Sequence, residues 1–420
     1  MSGAEQQHDP HGRSRVPSAP GLVVFCTHGL GDPLVAPLML EYLLRLQHEG
    51  AFGRVLLFTE EPPGAAVPAW AESALAGARI DWVPLRYDVR GRQWSQRAGN
   101  LLRMIAGAAG FVRRHGRSWM VGYLSFGGAY AMAASLLGLG RCMVVCFEPH
   151  SRYMRDLGIW GLRSMKALLV GWAERELMRW SDALVVPTTA VRDLVLRHHP
   201  RGQVRLQGIS IDTVKAAFDA DARASIRAEL GFGDRQVLLY VGKFGGIYHG
   251  TDAFMRFIAA LADRDQRLAV RIITHAADAD AIRRHPLHAA LADRMALSGP
   301  VPAEELHRHL SAADAGIVAI PPTPSQVFRT PVKTAHYWAA GLPIIIPRGV
   351  SDDHHIAEQE DVGVAVQDLV PSEAGPVLAA LQRWREEDPH AVRERCMQAA
   401  KSHRDAAAMT AVLRGLLISA

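Results

Sequence analysis

The 420-residue chain is 49% hydrophobic and 21% charged, an ordinary composition for a globular protein and more residues than one core comfortably holds. Its net charge of +5 suits phosphate-bearing ligands or an anionic membrane surface, and the lack of clustered basic and aromatic motifs argues against nucleic acid. No apolar run approaches the ~20 residues that span a bilayer, and the first residues lack a signal peptide's apolar core. We therefore expect a cytoplasmic protein of two domains.

The first half of the chain alternates short apolar runs with helical patterns. Residues 1–20 are polar and rich in Pro, Gly and Ser, so they are predicted to be disordered. Strands are then predicted at LVVFCT and near 54–59, 79–85, 119–124, 142–147 and 182–187. Strands separated by helices are typical of a parallel sheet, which predicts one doubly wound α/β domain over 21–208.

A break in this pattern at 207–215 predicts a hinge. A second series of strands follows at QVLLYVG, LAVRIIT, MALSG, AGIVAI, LPIII and VGVAV, again with helical patterns between them. This series predicts a second α/β domain over 209–390, and the helical pattern of 391–420 is predicted to pack back on the first domain. Two such domains facing each other across a cleft would bind a ligand between their strand ends.

The four cysteines are predicted to be buried free thiols, since most of them stand in apolar strand patterns. They are Cys26, Cys142, Cys146 and Cys396. A metal site at Cys142 and Cys146 is disfavoured because no second pair of ligands stands at a usable spacing.

In VLLYVGKFGGIYHGTDAF, a buried strand runs into a glycine-rich turn and then a helix. Gly242, Gly245 and Gly246 would let the backbone approach a ligand, and the helix start offers unpaired N–H groups to a phosphate. Lys243 adds a mobile cation. Glycine serving turn geometry alone explains the loop equally well.

The segment FRTPVKTAHYWAAGLPIII predicts a helix from about Pro331 to Gly341, followed by a buried strand. Amides at Thr330, Val332 and Lys333 would point at an anion. Lys333 is one of five lysines, which makes its place at a helix start suggestive, although a solvated lysine is the default. His336 lies about one turn further along, where a structural role is the commoner one.

These two elements, in this order and at this separation, resemble the donor half of GT-B retaining glycosyltransferases, specifically glycosyltransferase family 4, over most of residues 235–370. The resemblance implies two Rossmann-like domains across a cleft, a nucleoside diphosphate sugar as co-substrate, no other cofactor and no bound metal; it therefore also discounts His354 and His355 as metal ligands. It implies that Lys243 neutralises the donor pyrophosphate, with His249 at the position of the family's second lysine.

The two glutamates of the family's E-x7-E element fall on Phe328 and His336, so both are missing here. The second glutamate commonly holds the nucleotide ribose, and His336 retains the ability to hydrogen-bond a hydroxyl. Branches of the family with a P-x-K-x-x-E-Y element and a G-x-x-Y turn are closer, because Lys333 and Tyr248 fit them.

In the amino-terminal half, THGLGD resembles the glycine-rich loop that closes on the donor phosphates and the acceptor in these enzymes. Gly29 and Gly31 would give this loop the conformational freedom to close. CFEPHSRYM places Glu148 and His150 directly after a buried strand, where the family often has a histidine facing the reacting sugar. A polar loop punctuated by proline is the plainer interpretation.

Two other classes of function remain open. GYLSFGGA resembles a hydrolase nucleophile turn with Ser125, but that turn requires glycine two positions before the serine, where Tyr123 stands. A GT-B-like nucleotide-binding protein, or a sugar-nucleotide epimerase of the same architecture, would explain the loss of both glutamates.

The sequence predicts a hexosyltransferase that moves a sugar from a UDP- or GDP-sugar to a glycan or lipid-linked acceptor hydroxyl, with retention, in glycan or polysaccharide biosynthesis. Lys243, Glu148 and His150 are the predicted catalytic residues. The segments 97–117 and 159–180 mix apolar residues with arginine and tryptophan, which is typical of interfacial helices and predicts peripheral contact with the inner face of the membrane. Amphipathic packing on the sheet explains these segments equally well.

Overall fold

The structure is a computed structural model that describes residues 20–32, 36–88, 90, 93–161 and 164–418. The predicted disorder of the amino terminus lies outside these residues, except for Pro20. The described residues form two parallel sheets, each flanked by helices, so the predicted class of two doubly wound α/β domains is confirmed.

The first sheet has seven strands in the order β3-β2-β1-β4-β5-β6-β7. Their bounds are β1 Gly21–Phe25, β2 Val55–Glu61, β3 Ile80–Arg86, β4 Ser118–Tyr123, β5 Gly140–Val145, β6 Ala183–Val186 and β7 Gln203–Leu206. Because β1 pairs with β2 on one side and with β4 on the other, the strand order reverses there. Such a reversal opens a crevice at the carboxyl ends of the two strands.

Helices cover both faces of this sheet. They are α1 Ala36–His48, α2 Ala69–Ala76, α3 Gln93–His115, α4 Leu124–Leu136, α5 His150–Asp156, α6 Met165–Trp180 and α7 Thr189–Leu196. Alternate strand residues face opposite sides, so Leu22 and Val24 belong to the core under α1, whereas Val23 and Phe25 belong to the core under α3 and α4.

The second sheet has six strands in the order β10-β9-β8-β11-β12-β13. Their bounds are β8 Gln236–Val241, β9 Leu268–Ile273, β10 Met295–Ser298, β11 Ala315–Ile317, β12 Ile344–Pro347 and β13 Gly363–Val366. Its order reverses between β8 and β11, so the segments after these two strands flank a second crevice.

Most of the remaining helices surround the second sheet. They are α8 Ala220–Glu229, α9 Thr251–Ala262, α10 Ala276–Arg283, α11 Leu306–Ser311, α12 Val332–Ala339, α13 Asp353–Gln359, α14 Ala374–Glu386, α15 Pro389–Arg404 and α16 Ala406–Ile418. Short 3-10 turns occupy Pro286–Arg294, Ala303–Glu305, Pro324–Phe328 and Pro371–Glu373.

The carboxyl-terminal segment consists of two helices that pack on different domains. Cys396, Ala399 and Ala400 of α15 belong to a core of the second domain. Met409 and Leu413 of α16 belong instead to the core under α1. The chain therefore crosses between the domains twice.

The two crossings lie side by side and bond to each other. The amide of Ile211 donates to the carbonyl of Arg404, and the amide of Ala406 donates to the carbonyl of Ile211. The guanidinium of Arg404, which is 2% exposed, pairs with Asp353 at the start of α13. These bonds fix the segment 207–215, where the sequence predicts a hinge, against the return crossing.

The prediction of buried free thiols is confirmed, since all four cysteines, each within the described residues, are buried and unpaired. No helix among the described residues is long and apolar enough to cross a membrane.

Candidate functional site

A cavity of about 440 Å³ lies at the carboxyl ends of the strands of the first domain. The segments after β1, β3, β4 and β5 line it, together with the amino-terminal ends of α3 and α6. Three residues after β11 in the second domain close its other side: Ser325, Phe328 and Arg329. The cavity therefore lies between the domains, at the first crevice.

His150 lies in this cavity inside an aromatic cage. Its ring centroid is 5.2 Å from that of Phe126, 5.3 Å from that of Trp160 and 6.2 Å from that of Tyr153. Burial, together with the nearby cations Arg329 and Lys166, lowers the pKa of His150 to about 4. The imidazole is therefore neutral at physiological pH and positions a hydroxyl better than it takes up a proton.

Glu148 lines the same cavity, two residues before His150. Burial raises the pKa of its carboxyl group, and the charge of Arg329 acts in the opposite direction. An Arg329 Nε to Glu148 Oε2 distance of 3.6 Å joins the two domains at this point. The structure thus brings together the two residues that the sequence singled out after β5.

Arg329 is a functional residue that the sequence analysis did not single out. Its guanidinium lies 4.3 Å from the ring centroid of Tyr153, and its Nη1 is buried without a hydrogen-bond partner among the described residues. A buried guanidinium nitrogen with no partner is costly unless a ligand satisfies it. Arg329 stands directly before Thr330 and Pro331, which precede α12, and this position was a signal in the sequence that could have identified it.

Two further residues of the first domain were missed. Arg97 of α3 stacks 4.4 Å from the ring of Tyr87 and 4.7 Å from that of Phe126, while its charge pairs with Glu60 at 3.2 Å. His28, after β1, lines the cavity with a buried Nδ1 that has no partner among the described residues, and burial lowers its pKa.

A second cationic centre lies at the crevice of the carboxyl-terminal domain. Lys333, in the first turn of α12, places Nζ 4.6 Å from the ring centroid of Tyr240 and 4.7 Å from that of Tyr248. This Nζ is buried and has no hydrogen-bond partner among the described residues. Burial lowers the pKa of Lys333 to about 7. Sequence analysis identified the residue but not its burial.

The glycine turn after β8 lies directly against this ammonium group. Gly242 has a φ of 140°, which L side chains rarely adopt, and a β-carbon there would lie 3.0 Å from Lys333 Nζ. Gly245 and Gly246 also have positive φ values. The turn after β8 and the start of α12, which the sequence treats as separate elements, therefore share one site.

Lys243 is exposed, and its main-chain carbonyl accepts a hydrogen bond of 2.5 Å from Tyr240 Oη. Because its neighbour Gly242 contacts the site, Lys243 lies at the edge of the crevice. Its predicted role at the diphosphate stays a prediction, and the buried cation next to the turn is Lys333 instead.

His249 is held by a carboxylate of its own domain. Its Nε2 lies 2.9 Å from Asp368 Oδ1, and its amide donates to the carbonyl of Ala319. Burial lowers the pKa of His249, and Asp368 acts in the opposite direction. A histidine whose pKa is lowered by burial and whose Nε2 faces Asp368 is a weaker phosphate ligand than the lysine it replaces in the family pattern.

The remaining predicted residues lie on or beside α12. Burial lowers the pKa of His336 to about 4, so its imidazole is neutral. The hydroxyl of Thr330 donates to the carbonyl of Pro187 at 3.1 Å, across the domain interface. Val332 begins α12, whose first amides have no partner within the helix. Thr330 therefore contributes its side chain to the interface, and Val332 an amide to the site.

The glycine loop after β1 is held by the carboxylate of Glu61. The amide of Leu30 donates to Glu61 Oε1 at 2.9 Å, and a β-carbon on Gly29 would lie 2.3 Å from Glu61 Oε2. Gly31 has nothing within 4 Å of the corresponding position. Gly29 thus serves close packing, whereas the conformational freedom predicted for Gly31 stays a prediction.

The hydrolase interpretation is not favoured by the geometry of Ser125. Its hydroxyl donates to the main-chain carbonyl of Glu148, and the positive φ of 58° at this turn belongs to Leu124. A nucleophile elbow requires the serine itself on the strained turn. Ser125 instead positions the segment that carries Glu148 and His150.

Arg329 links the two centres. Its charge acts on Tyr248, whose ring centroid lies 4.7 Å from Lys333 Nζ, and on Tyr153, whose ring centroid lies 6.2 Å from that of His150. A ligand at Lys333 and one beside His150 would therefore both lie within the influence of the Arg329 guanidinium. The arrangement fits an anion in the second domain with a polar, uncharged group facing it from the first.

Comparison with family models found none that matches the chain, and no curated protein matches it in sequence. Solved structures match over nearly the whole chain. Sucrose-phosphate synthase from Thermosynechococcus elongatus has a TM-score of 0.69 at 17% identity, covering 96% of this chain and 100% of its own. HepE from Anabaena, in complex with UDP, has a TM-score of 0.70 at 12% identity with the same coverage.

WaaG, a glycosyltransferase involved in lipopolysaccharide biosynthesis, has a TM-score of 0.63 at 12% identity over 94% of this chain and 99% of its own. Identities this low establish the architecture alone. The chain therefore has the GT-B fold, with two parallel-sheet domains.

Proposed function

We propose that this protein is a glycosyltransferase that moves a sugar from a nucleoside diphosphate sugar to an acceptor hydroxyl. The observation that carries the proposal is the buried ammonium group of Lys333, which has no hydrogen-bond partner in the described part of the chain and lies between the Gly242 turn and the first amides of α12. A desolvated cation beside a helix start is a site for a diphosphate, because both the charge and the free N–H groups favour an anion.

In the proposed donor site, the diphosphate lies against Lys333 and the α12 amides, and Gly242 and Gly245 allow the backbone to approach it. Lys243, at the edge of the crevice, supplies a second and more mobile charge, and His249 contributes less because burial lowers its pKa and Asp368 faces its Nε2. Tyr248 orders Lys333 through its ring, and His336 offers a neutral imidazole to a ribose hydroxyl.

In the proposed reaction, the bond between the anomeric carbon and the diphosphate oxygen breaks as the acceptor oxygen bonds to that carbon, and the acceptor proton passes to the diphosphate. Lys333 and Arg329 stabilise the charge that develops on the leaving group, which is usually the largest electrostatic contribution. Because the neutral His150 is a weak base, it orients a hydroxyl, and Glu148 holds Arg329 in place. Proton transfer to the leaving group on the same face gives retention.

The neighbouring structures support a UDP-linked donor, since HepE was solved with UDP and with UDP-glucose. A hexosyl group and a role in glycan or polysaccharide biosynthesis follow as the expected substrate class. We further propose that the donor is the sole co-substrate and that protein cations, rather than a metal ion, balance the diphosphate. The acceptor domain is proposed to span 21–208 and the donor domain 209–390, with closure about 207–215.

The test measures thermal stabilisation by UDP, GDP, UDP-glucose and GDP-mannose, followed by release of the nucleoside diphosphate. We expect stabilisation by one of the two nucleotides and its release from the sugar in the presence of an acceptor. Lys333→Met should weaken both effects strongly, whereas Lys401→Met, which changes an exposed lysine on α15, should leave both unchanged. Equal stabilisation of the Lys333→Met and Lys401→Met variants would overturn the proposal.

A further inference from the structure

Helix α6 presents a second apolar face that no described residue covers. Met165, Leu168, Leu169 and Trp172 are 69%, 54%, 47% and 56% exposed. Their spacing places them on one side of the helix over two turns. The opposite side already packs on the protein through Ala167, Val170, Leu177 and other buried residues, so this stripe is not the core-facing side.

The polar residues around the stripe are cationic. Besides the stripe, the exposed residues of α6 are Arg175, Arg179 and Trp180. Of the two glutamates of the helix, Glu174 is buried and accepts two hydrogen bonds from Ser151, whereas Glu176 is half-buried and accepts one of 2.9 Å from Trp180 Nε1 on this side of the helix, so the two exposed arginines outnumber it. The face therefore combines large apolar side chains, tryptophan and arginine, which is the composition of a helix that lies in a membrane interface.

This face adjoins the mouth of the cavity. Lys166, next to Met165, lines the cavity and lies 4.7 Å from the ring of Trp160, which in turn contacts His150. Across the cavity, Trp94 at the start of α3 also lines it and is 60% exposed. An apolar surface applied to α6 would thus reach the acceptor side of the proposed site.

The two segments that the sequence offered as interfacial differ in the structure. The middle of α3 buries Met104, Ala108 and Phe111 against the sheet, leaving Leu102 as its exposed large apolar residue there. Segment 97–117 is therefore explained by packing on the sheet. In 159–180 the buried and the exposed apolar sets coexist, and the exposed set is unexplained by the fold.

We propose that the α6 face docks on an anionic phospholipid surface and that the acceptor reaches the cavity from that surface; the second clause rests on the proposed function. An anionic surface complements Arg175 and Arg179. A second copy of the chain does not, because a twofold interface on this face would bring the arginines of both copies together. The protein's net charge of +5 acts in the same direction.

The test is co-sedimentation of the full chain with phosphatidylcholine vesicles that contain or lack phosphatidylglycerol. We expect binding to the anionic vesicles and weaker binding to the neutral ones. Leu168→Ser/Trp172→Ser should weaken binding about tenfold or more through lost apolar burial. Arg175→Gln/Arg179→Gln should weaken it about fivefold for each arginine, on the anionic vesicles alone.

The matched control is Val214→Ser/Ile418→Ser, which removes two apolar side chains of 83% and 71% exposure away from α6. It should bind vesicles as the unaltered chain does. All three variants change exposed side chains, and an unchanged melting temperature verifies that each is folded. Equal vesicle binding by the α6 variants and the control would overturn the proposal.

Sedimentation equilibrium without lipid tests whether a second copy of the chain, rather than a membrane, covers this face. A monomer is expected, whereas a dimer that Leu168→Ser/Trp172→Ser dissociates would assign the face to a second copy. Vesicle binding needs no substrate, so its failure is distinguishable from failure of the proposed function. If the chain still released nucleoside diphosphate from the donor in the presence of a soluble acceptor but did not co-sediment with vesicles, membrane docking alone would be overturned.

Discussion

Binding of UDP should be accompanied by uptake of a proton on Lys333. Burial lowers the pKa of this lysine to about 7, so in the free protein at pH 8 about nine-tenths of the Nζ groups are neutral, against about one-tenth at pH 6. A bound diphosphate favours the ammonium form and raises its pKa. Complex formation at pH 8 should therefore take up to about 0.9 proton from solution, and at pH 6 about 0.1.

The sign of the affinity change follows from the same linkage. Since the protonated lysine binds the anion, affinity is full below pH 7 and falls as pH rises through it. Between pH 6 and pH 8, deprotonation of Lys333 should raise the Kd of UDP about tenfold, which is a loss of about 1.4 kcal/mol of binding free energy. The terminal phosphate of UDP loses its last proton at pH ~6. This added negative charge strengthens UDP binding as pH rises over the lower part of the range, opposite to the effect of Lys333.

Isothermal titration calorimetry in buffers of different ionisation enthalpy measures the uptake directly. Lys333→Met keeps a buried side chain of similar length without the charge, and the titration of UDP itself is common to both proteins. The variant should take up no proton at Lys333 and should bind UDP about thirtyfold more weakly at pH 6, for a charged contact worth about 2 kcal/mol. Equal proton uptake by both proteins at pH 8 would refute the reasoning.

Three further outcomes are expected. Arg329→Gln should lower kcat/KM for sugar transfer by about 10²–10³ and should also weaken UDP binding, because the guanidinium stabilises the charge of the leaving diphosphate; unchanged turnover in a nucleotide-release assay would contradict this. Gly29→Ala should lower the melting temperature, since its β-carbon would lie 2.3 Å from a carboxylate oxygen, whereas Gly31→Ala has open space and should not; equal melting curves would count against the packing argument. Thr189→Val removes a 2.7 Å hydrogen bond to Asp352 in the other domain, worth about 1 kcal/mol, and should increase the radius of gyration in solution scattering; an unchanged radius would argue against a role in closure.

The strands were predictable because most of them are buried on both faces. Runs such as QVLLYV and LPIII are continuous and β-branched, as parallel strands covered by helices must be. The missed strand is β7, Gln203–Leu206, which forms the edge of its sheet and whose four residues are partly or fully exposed. An edge strand with arginine in it lacks the apolar run on which the prediction depends.

The site was less predictable, because a residue's electrostatic role depends on what surrounds it in three dimensions. From the sequence alone Lys333 is predicted to be a surface lysine, whereas in the structure Tyr240 and Tyr248, which are remote in sequence, enclose its Nζ. His249 reads as a free cation until Asp368 lies 2.9 Å away. Neither a neighbour's position nor the resulting pKa is encoded in local spacing, so the motifs located the site without assigning its charges.

The position of Arg329 makes the site depend on contact between the domains. Its guanidinium comes from the second domain, yet it balances the carboxylate of Glu148, which burial makes costly to ionise. The residue after it, Thr330, bonds to the carbonyl of Pro187 in the first domain. If the domains separate, Glu148 and Arg329 both lose their partner, and the cavity that holds His150 loses the wall that Arg329 and Phe328 supply. The cation on the donor side and the neutral imidazole on the acceptor side therefore face each other only when the domains are together, which is also the state that excludes water from a reactive sugar.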